Sequence, residues 1–186
     1  MERIIGGVFG ARLMNAHTAA IGEFADAIDA VPADRWFEAP AAGRWSAAAL
    51  SLHVIDAYSY CLGALDDGPQ MRTRLPVWRM WMLRELVMPV LFVLRRFPRE
   101  APAPPEVIPD LSAAESLSQA EARARLLETS ARALAALAAV ARERPDVRIT
   151  HAYFGAMSPR QTVMLLTGHT RHHAEGLRTR SRVSGL

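Results

Sequence analysis

The sequence predicts an all-α fold, a bundle of helices forming one domain over residues 1–186. Three observations point there. Apolar residues recur at steps of three and four along nearly the whole chain, with no convincing alternation of the kind a half-buried strand shows. Pro and Gly fall mostly between these periodic segments. The composition is 51% hydrophobic and 22% charged, ordinary for a globular chain of a length that can bury one continuous core.

The first helix is predicted over about 8–31, with the stripe Leu13, His17, Ile21, Phe24, Ile28, Val31 and with Pro32 ending it. A loop carrying Trp36, Pro40 and Gly43 follows. Ser46 is an N-cap for a second helix reaching about Asp66, where Asp66-Asp67-Gly68-Pro69 stops it. A third, Met- and Trp-rich segment over about 75–97 is predicted as a kinked helix with Pro89 in its longest apolar run; Met80, Met82 and Met88 suit an adaptable apolar surface. Pro98, Pro102, Pro104, Pro105 and Pro109 then exclude helix and predict a long connection from one end of the bundle to the other. Ser118 with Glu121 forms a capping box for an Ala- and Leu-rich helix to about Arg144, and Pro145 follows. Ser158-Pro159-Arg160-Gln161 sets an N-cap, a proline at the first helical position and a capping-box glutamine in order, so the last helix is predicted to begin at Pro159.

Charge and cysteine usage narrow the function classes. The pI is 9.7, yet the formal net charge is only +3 and every one of the 22 basic residues is Arg. These arginines are interleaved with Asp and Glu and form no stripe of the kind that tracks phosphates, which argues against a nucleic-acid partner. Arg79, Arg84, Glu85, Arg95 and Arg96 interrupt the 75–97 segment, so no membrane span is expected there. Cys61 is the only cysteine, and MERIIGGVFG lacks the features of a secretory leader, so the expected location is cytoplasmic.

The histidines carry the chemistry. On the last helix the inward stripe is predicted as Val163 or Thr162, then Leu166, His169, His173 and Leu177, so two imidazoles point where leucines would, one turn apart. His172 is rotated by about 100° from His173 and reads as a bystander. On the second helix the stripe Leu50, His53, Ala57, Tyr60, Ala64 places His53 among apolar and small residues. A buried neutral imidazole needs partners for its nitrogens or a metal, because leaving them dry costs roughly 1–3 kcal/mol. A divalent ion held by His53, His169 and His173 meets that need for all three; packing as satisfied core histidines is the alternative. The residue after His169 is Thr170, so the H-E-x-x-H pattern of zinc proteases is absent. Candidate supports or pocket residues are Asp56, one turn after His53, then Tyr60, His17, His172 and His151, the last in the loop with Tyr153 and Phe154. Glu175 can support a ligand or simply face solvent, and Cys61 can face the cavity or pack as an inert thiol.

Trp45-Ser46 before a helix carrying L-x-H, the proline-rich crossing, and HAYFGAMSPRQ leading into GHTRHH together resemble the DinB-like superfamily of bacterial bundle proteins over nearly the whole chain. The resemblance implies a four-helix bundle with a long crossover, the 75–97 segment being an addition, and a homodimer. It also implies zinc, nickel or a similar ion on one histidine of the second helix and two of the last, here His53, His169 and His173. Some relatives are metal-dependent transferases or isomerases that use a low-molecular-weight thiol such as bacillithiol or mycothiol. The family's H-x-x-H-H run is often followed three residues later by Gln, and Gly176 stands there instead. Two readings follow: a metal-dependent transferase or hydrolase acting on a small molecule, or a non-catalytic helical dimer or small-ligand binder with a structural histidine cluster.

Overall fold

The computed structural model describes residues 7–94 and 102–182, the side chains as far as Thr179. Among them the fold is mostly helical. Four long helices, α1 (Ala11–Asp29), α2 (Ala47–Leu65), α6 (Gln119–Glu143) and α7 (Pro159–Arg182), contribute to a single apolar core. Between α2 and α6 run α3 (Val77–Met82), a π-turn over Leu83–Val87, α4 (Met88–Leu94), a 3-10 turn at Pro105–Val107 and the short α5 (Leu111–Glu115). α1 packs against α7 and α6, and α2 against the same two.

The start signals act as their chemistry requires. Ser46 accepts from the Ala49 N–H and Ser118 from the Glu121 N–H, each satisfying an amide that the first helical turn leaves without a partner. At α7 the box closes both ways. The Gln161 N–H donates to Ser158 Oγ at 3.3 Å, and the Ser158 N–H donates to Gln161 Oε1 at 2.9 Å. In α6 only half the box forms, because the Glu121 carboxylate pairs with Arg125.

The structure departs from the sequence reading at four places. α1 proper begins at Ala11, because Gly10 adopts φ +83, a left-handed conformation that interrupts the helix predicted to run through it. In the third segment the kink takes the form of the π-turn just before Pro89. A proline ring crowds the carbonyl four residues back, here Glu85, and the wider turn relieves that contact. Residues 150–157, read as loop, contain a two-stranded antiparallel hairpin, β1 (Ile149–His151) and β2 (Gly155–Met157). Gly155 has φ +64, and a Cβ there would lie 3.3 Å from Met80 Sδ, so both backbone and packing call for glycine. Finally α5 forms on an Asp110 cap after Pro109, the last proline of the connection, and ahead of the Ser118 box, where the sequence reading assigned no helix. Pro98 and the rest of 95–101 lie outside the described residues.

The third segment is tied over the hairpin. Arg84 donates to the carbonyls of Phe154 at 3.3 Å and Ala156 at 2.8 Å, and Gln161 at the start of α7 donates to Glu85. α2 is the one described helix long and apolar enough to cross a membrane; 67% of its apolar window is buried inside the protein, as befits a core helix.

Candidate metal centre and its cavity

α2 and α7 bring three imidazoles together. His53 Nε2 lies 3.0 Å from His169 Nε2, and His173 Nε2 lies 3.1 Å from the same atom. All three ligand atoms fall within 4.8 Å of one another. Around a tetrahedral ion with bonds of about 2.0–2.1 Å, neighbouring ligand atoms stand ~3.3 Å apart, so two of the three separations already approach that geometry.

The donor set fits a cation. Burial holds His169 well below the ordinary histidine range, and the neighbouring histidines add to the effect. Burial also lowers His53, opposed by its bond to a backbone carbonyl. A neutral His53 donates from Nδ1 to the Val107 carbonyl at 2.6 Å, which leaves its Nε2 as a lone pair aimed at His169. His169 Nε2 carries at most one proton and can give it to only one of its two facing neighbours. A divalent ion between them meets all three lone pairs at once.

The ring of His53 is therefore oriented by the Val107 carbonyl, carried on the 3-10 turn that the proline-rich connection places against α2. Asp56, the sequence candidate for that role, makes no bond to His53; it is half-buried and its carboxyl is raised by burial. Tyr60 turns its hydroxyl to the Pro69 carbonyl at 2.8 Å and does not line the cavity. A backbone acceptor such as Val107 leaves no mark in a sequence, beyond the prolines that fix the turn presenting it.

The stripe of α7 is also corrected. The centre of its buried face is Val163, Thr167, Thr170, Ala174 and Leu177, each at most 1% exposed, while His169 and His173 stand beside it, partly buried and facing a cavity. The threonines face the core because their hydroxyls are satisfied there. Thr167 donates to the Val163 carbonyl at 2.7 Å, and Thr170 bonds to the Tyr58 hydroxyl at 2.9 Å. Since the Thr167 proton is taken, His17 donates to its oxygen from Nδ1 at 3.2 Å. His17 thus belongs to the core of the bundle and does not line the cavity. Its burial, with the Arg171 charge nearby, pushes its pKa down to about 4. Cys61 is likewise sealed in the core, its thiol pushed up to about 12, and takes no part in the site.

The cavity beside the three histidines has a volume of about 750 Å³. Met71, Leu83, Val107, Phe154 and Leu165 supply apolar walls, and Arg44, Glu175 and Thr179 are exposed polar groups on its lining. His172, read from the sequence as a bystander, lines it with its ring 4.9 Å from that of His173. His151 lines it from β1. Gly176 borders it too, and a Cβ there would meet only Leu50, at 3.6 Å, so the glycine leaves open space at this edge. Trp45 packs its ring 4.8 Å from that of His53, which accounts for the tryptophan ahead of the second helix.

Neither the curated proteins nor the solved structures yield a match to this chain. The profile of the DinB superfamily matches residues 16–176, a span that holds all three converging histidines and the whole cavity apart from Thr179. The chain belongs to the DinB superfamily.

Proposed function

We propose that the protein holds a zinc or nickel ion on His53, His169 and His173 and is a metal-dependent transferase that joins a low-molecular-weight thiol of the bacillithiol or mycothiol class to a small substrate. The observation that carries this reading is the convergence of three imidazole Nε2 atoms beside a cavity of about 750 Å³. Three protein ligands leave coordination positions open, as a catalytic centre requires and a closed structural one does not. When bound, a divalent ion supplies Lewis acidity. The chain's own residues do the rest. Val107 fixes the ring of His53, the apolar walls exclude water, and Arg44, Glu175 and Thr179 offer charge and hydrogen bonds to a polar cosubstrate.

The wider reading is a single domain in which the four long helices form a four-helix bundle with a long crossover, located in the cytoplasm, where a lone buried cysteine is at home. It also includes a homodimer. Val77, Trp78, Trp81, Leu86, Val90, Val93 and Leu94 are all more than half exposed, at helical steps widened once by the π-turn. A stripe of that size is what an interface between copies would cover. Sedimentation equilibrium is expected to show a dimer that a Trp81→Glu, Val90→Glu variant converts to monomer; a wild-type monomer contradicts this.

The transferase reading is tested by incubating metal-loaded and metal-stripped protein with bacillithiol, mycothiol and a panel of electrophiles, following loss of free thiol. Metal-dependent conjugation above the uncatalysed rate is expected. No turnover with any thiol overturns it and favours the non-catalytic dimer or ligand binder.

A further inference from the structure

His151, like His172, is a histidine on the cavity wall that the proposed function leaves without a task, and its surroundings specify one. It ends β1, and its Nδ1 accepts from the backbone N–H of Tyr153 at 3.2 Å. The lone pair is therefore on Nδ1, and the proton of the neutral ring is on Nε2. The ring is held between Phe154, centroids 5.1 Å apart, and Tyr153, at 5.9 Å. Tyr153 cannot serve as a donor to the cavity, because its hydroxyl donates to the Pro102 carbonyl at 2.9 Å. Nε2 of His151 makes no hydrogen bond among the described residues and is not sealed in the core. The cavity it lines has Met71, Leu83, Val107, Phe154 and Leu165 among its apolar walls, and the Glu106 carboxylate lies near enough to oppose the effect of burial on the ring. Burial keeps the ring neutral, with its pKa pushed down to about 4, so at neutral pH it is a donor and not a cation. A charge on His151 also disfavours one on His169, and both residues line the same cavity.

We propose that His151 Nε2–H is the recognition donor of this cavity, selecting molecules with an apolar body and an oxygen acceptor of the carbonyl or carboxylate type, and holding that oxygen toward the histidine cluster. A donor in an apolar wall discriminates strongly. A molecule with the matching acceptor gains a hydrogen bond in low-dielectric surroundings, and one without it strands the N–H. That the held oxygen lies close to an ion rests on the proposed metal centre; the donor role does not.

The test has two parts, both on the full chain. Nitrogen-15 NMR of the imidazole rings in metal-free protein at pH 7 is expected to show His151 neutral with its proton on Nε2; a proton on Nδ1 overturns the proposal. Calorimetric titration with benzoate, which joins an apolar ring to a carboxylate, is then made on metal-free and Co(II)-loaded wild type, His151→Phe and His151→Gln. Benzoate is expected to bind roughly tenfold or more weaker to the Phe variant, and within about threefold of wild type to the Gln variant, whose amide restores a donor near the position of Nε2. Equal affinity in all three proteins, or no binding to wild type, overturns the role of His151. Failure of the metal centre shows separately, as a wild type that takes up no Co(II). Unchanged thermal unfolding of both variants establishes that the loss is one of recognition and not of folding.

Discussion

A His53→Ala, His169→Ala double variant purified without chelator is expected to carry essentially no divalent metal, where the wild type carries close to one ion per chain. The variant removes two of the three Nε2 atoms that face one another at 3.0 and 3.1 Å. It leaves His173 alone, and a single imidazole at a cavity wall does not retain an ion through purification. The stability readout separates a metal site from a packed histidine cluster. An ion present at about a hundred times its Kd stabilises the folded chain by about 2.7 kcal/mol, roughly 5–10 °C in Tm at this chain length. Wild type is expected to show that rise on addition of Zn(II) or Ni(II), and the variant none. In the metal-free state the variant also loses the His53 donor to the Val107 carbonyl, at a cost of roughly 1–3 kcal/mol, so the metal-dependent rise in Tm is the readout that separates the two readings. If the cluster were structural, neither protein would show that rise, and that result contradicts the metal site.

Acid is expected to unfold the metal-free protein through its buried neutral histidines. His17 is 3% exposed, and its folded pKa lies near 4 against 6.5 in an unfolded chain. Above pH 6.5 both states are neutral and the group contributes no pH dependence. As pH falls below 6.5 the unfolded chain takes up a proton that the folded one refuses, so stability drops by up to about 1.4 kcal/mol per pH unit until about pH 4. Between pH 7 and 5 that amounts to roughly 2 kcal/mol from His17 alone. His151, lowered to about 4 by its own burial, adds in the same direction, as do His53 and His169. Urea unfolding at pH 7 and pH 5 is expected to show the loss, and His17→Leu to reduce it by about 2 kcal/mol. That substitution is tolerated because Thr167 already donates to Val163 and strands no proton when His17 is gone. A His17→Leu protein with the wild-type pH dependence contradicts the assignment of His17 as a buried neutral core residue.

Much of this was legible in the sequence, where local chemistry decides the structure. Ser46, Ser118 and the Ser158-Pro159-Gln161 run set their helix starts because caps act within four residues. His53, His169 and His173 could be brought to one site because α2 and α7 are regular and their phase follows from spacing. Hydrophobicity misjudged the exact face of α7, since Thr167 and Thr170 look polar until Val163 and Tyr58 are seen to satisfy their hydroxyls. Three-residue strands are too short to show a period, so the hairpin bearing His151 read as loop. The Val107 carbonyl, the direction of the Tyr60 hydroxyl and the core position of His17 all depend on partners 54, 9 and 150 residues away, and no local pattern encodes them.

Whether three imidazoles hold one ion is read out by X-ray absorption at the edge of the metal that copurifies. The expected spectrum shows three imidazole nitrogens at about 2.0–2.1 Å from the metal, with the outer scattering of histidine rings, reduced on substitution of His169. Oxygen ligands alone, or an imidazole count unchanged by His169→Ala, would contradict a three-histidine site.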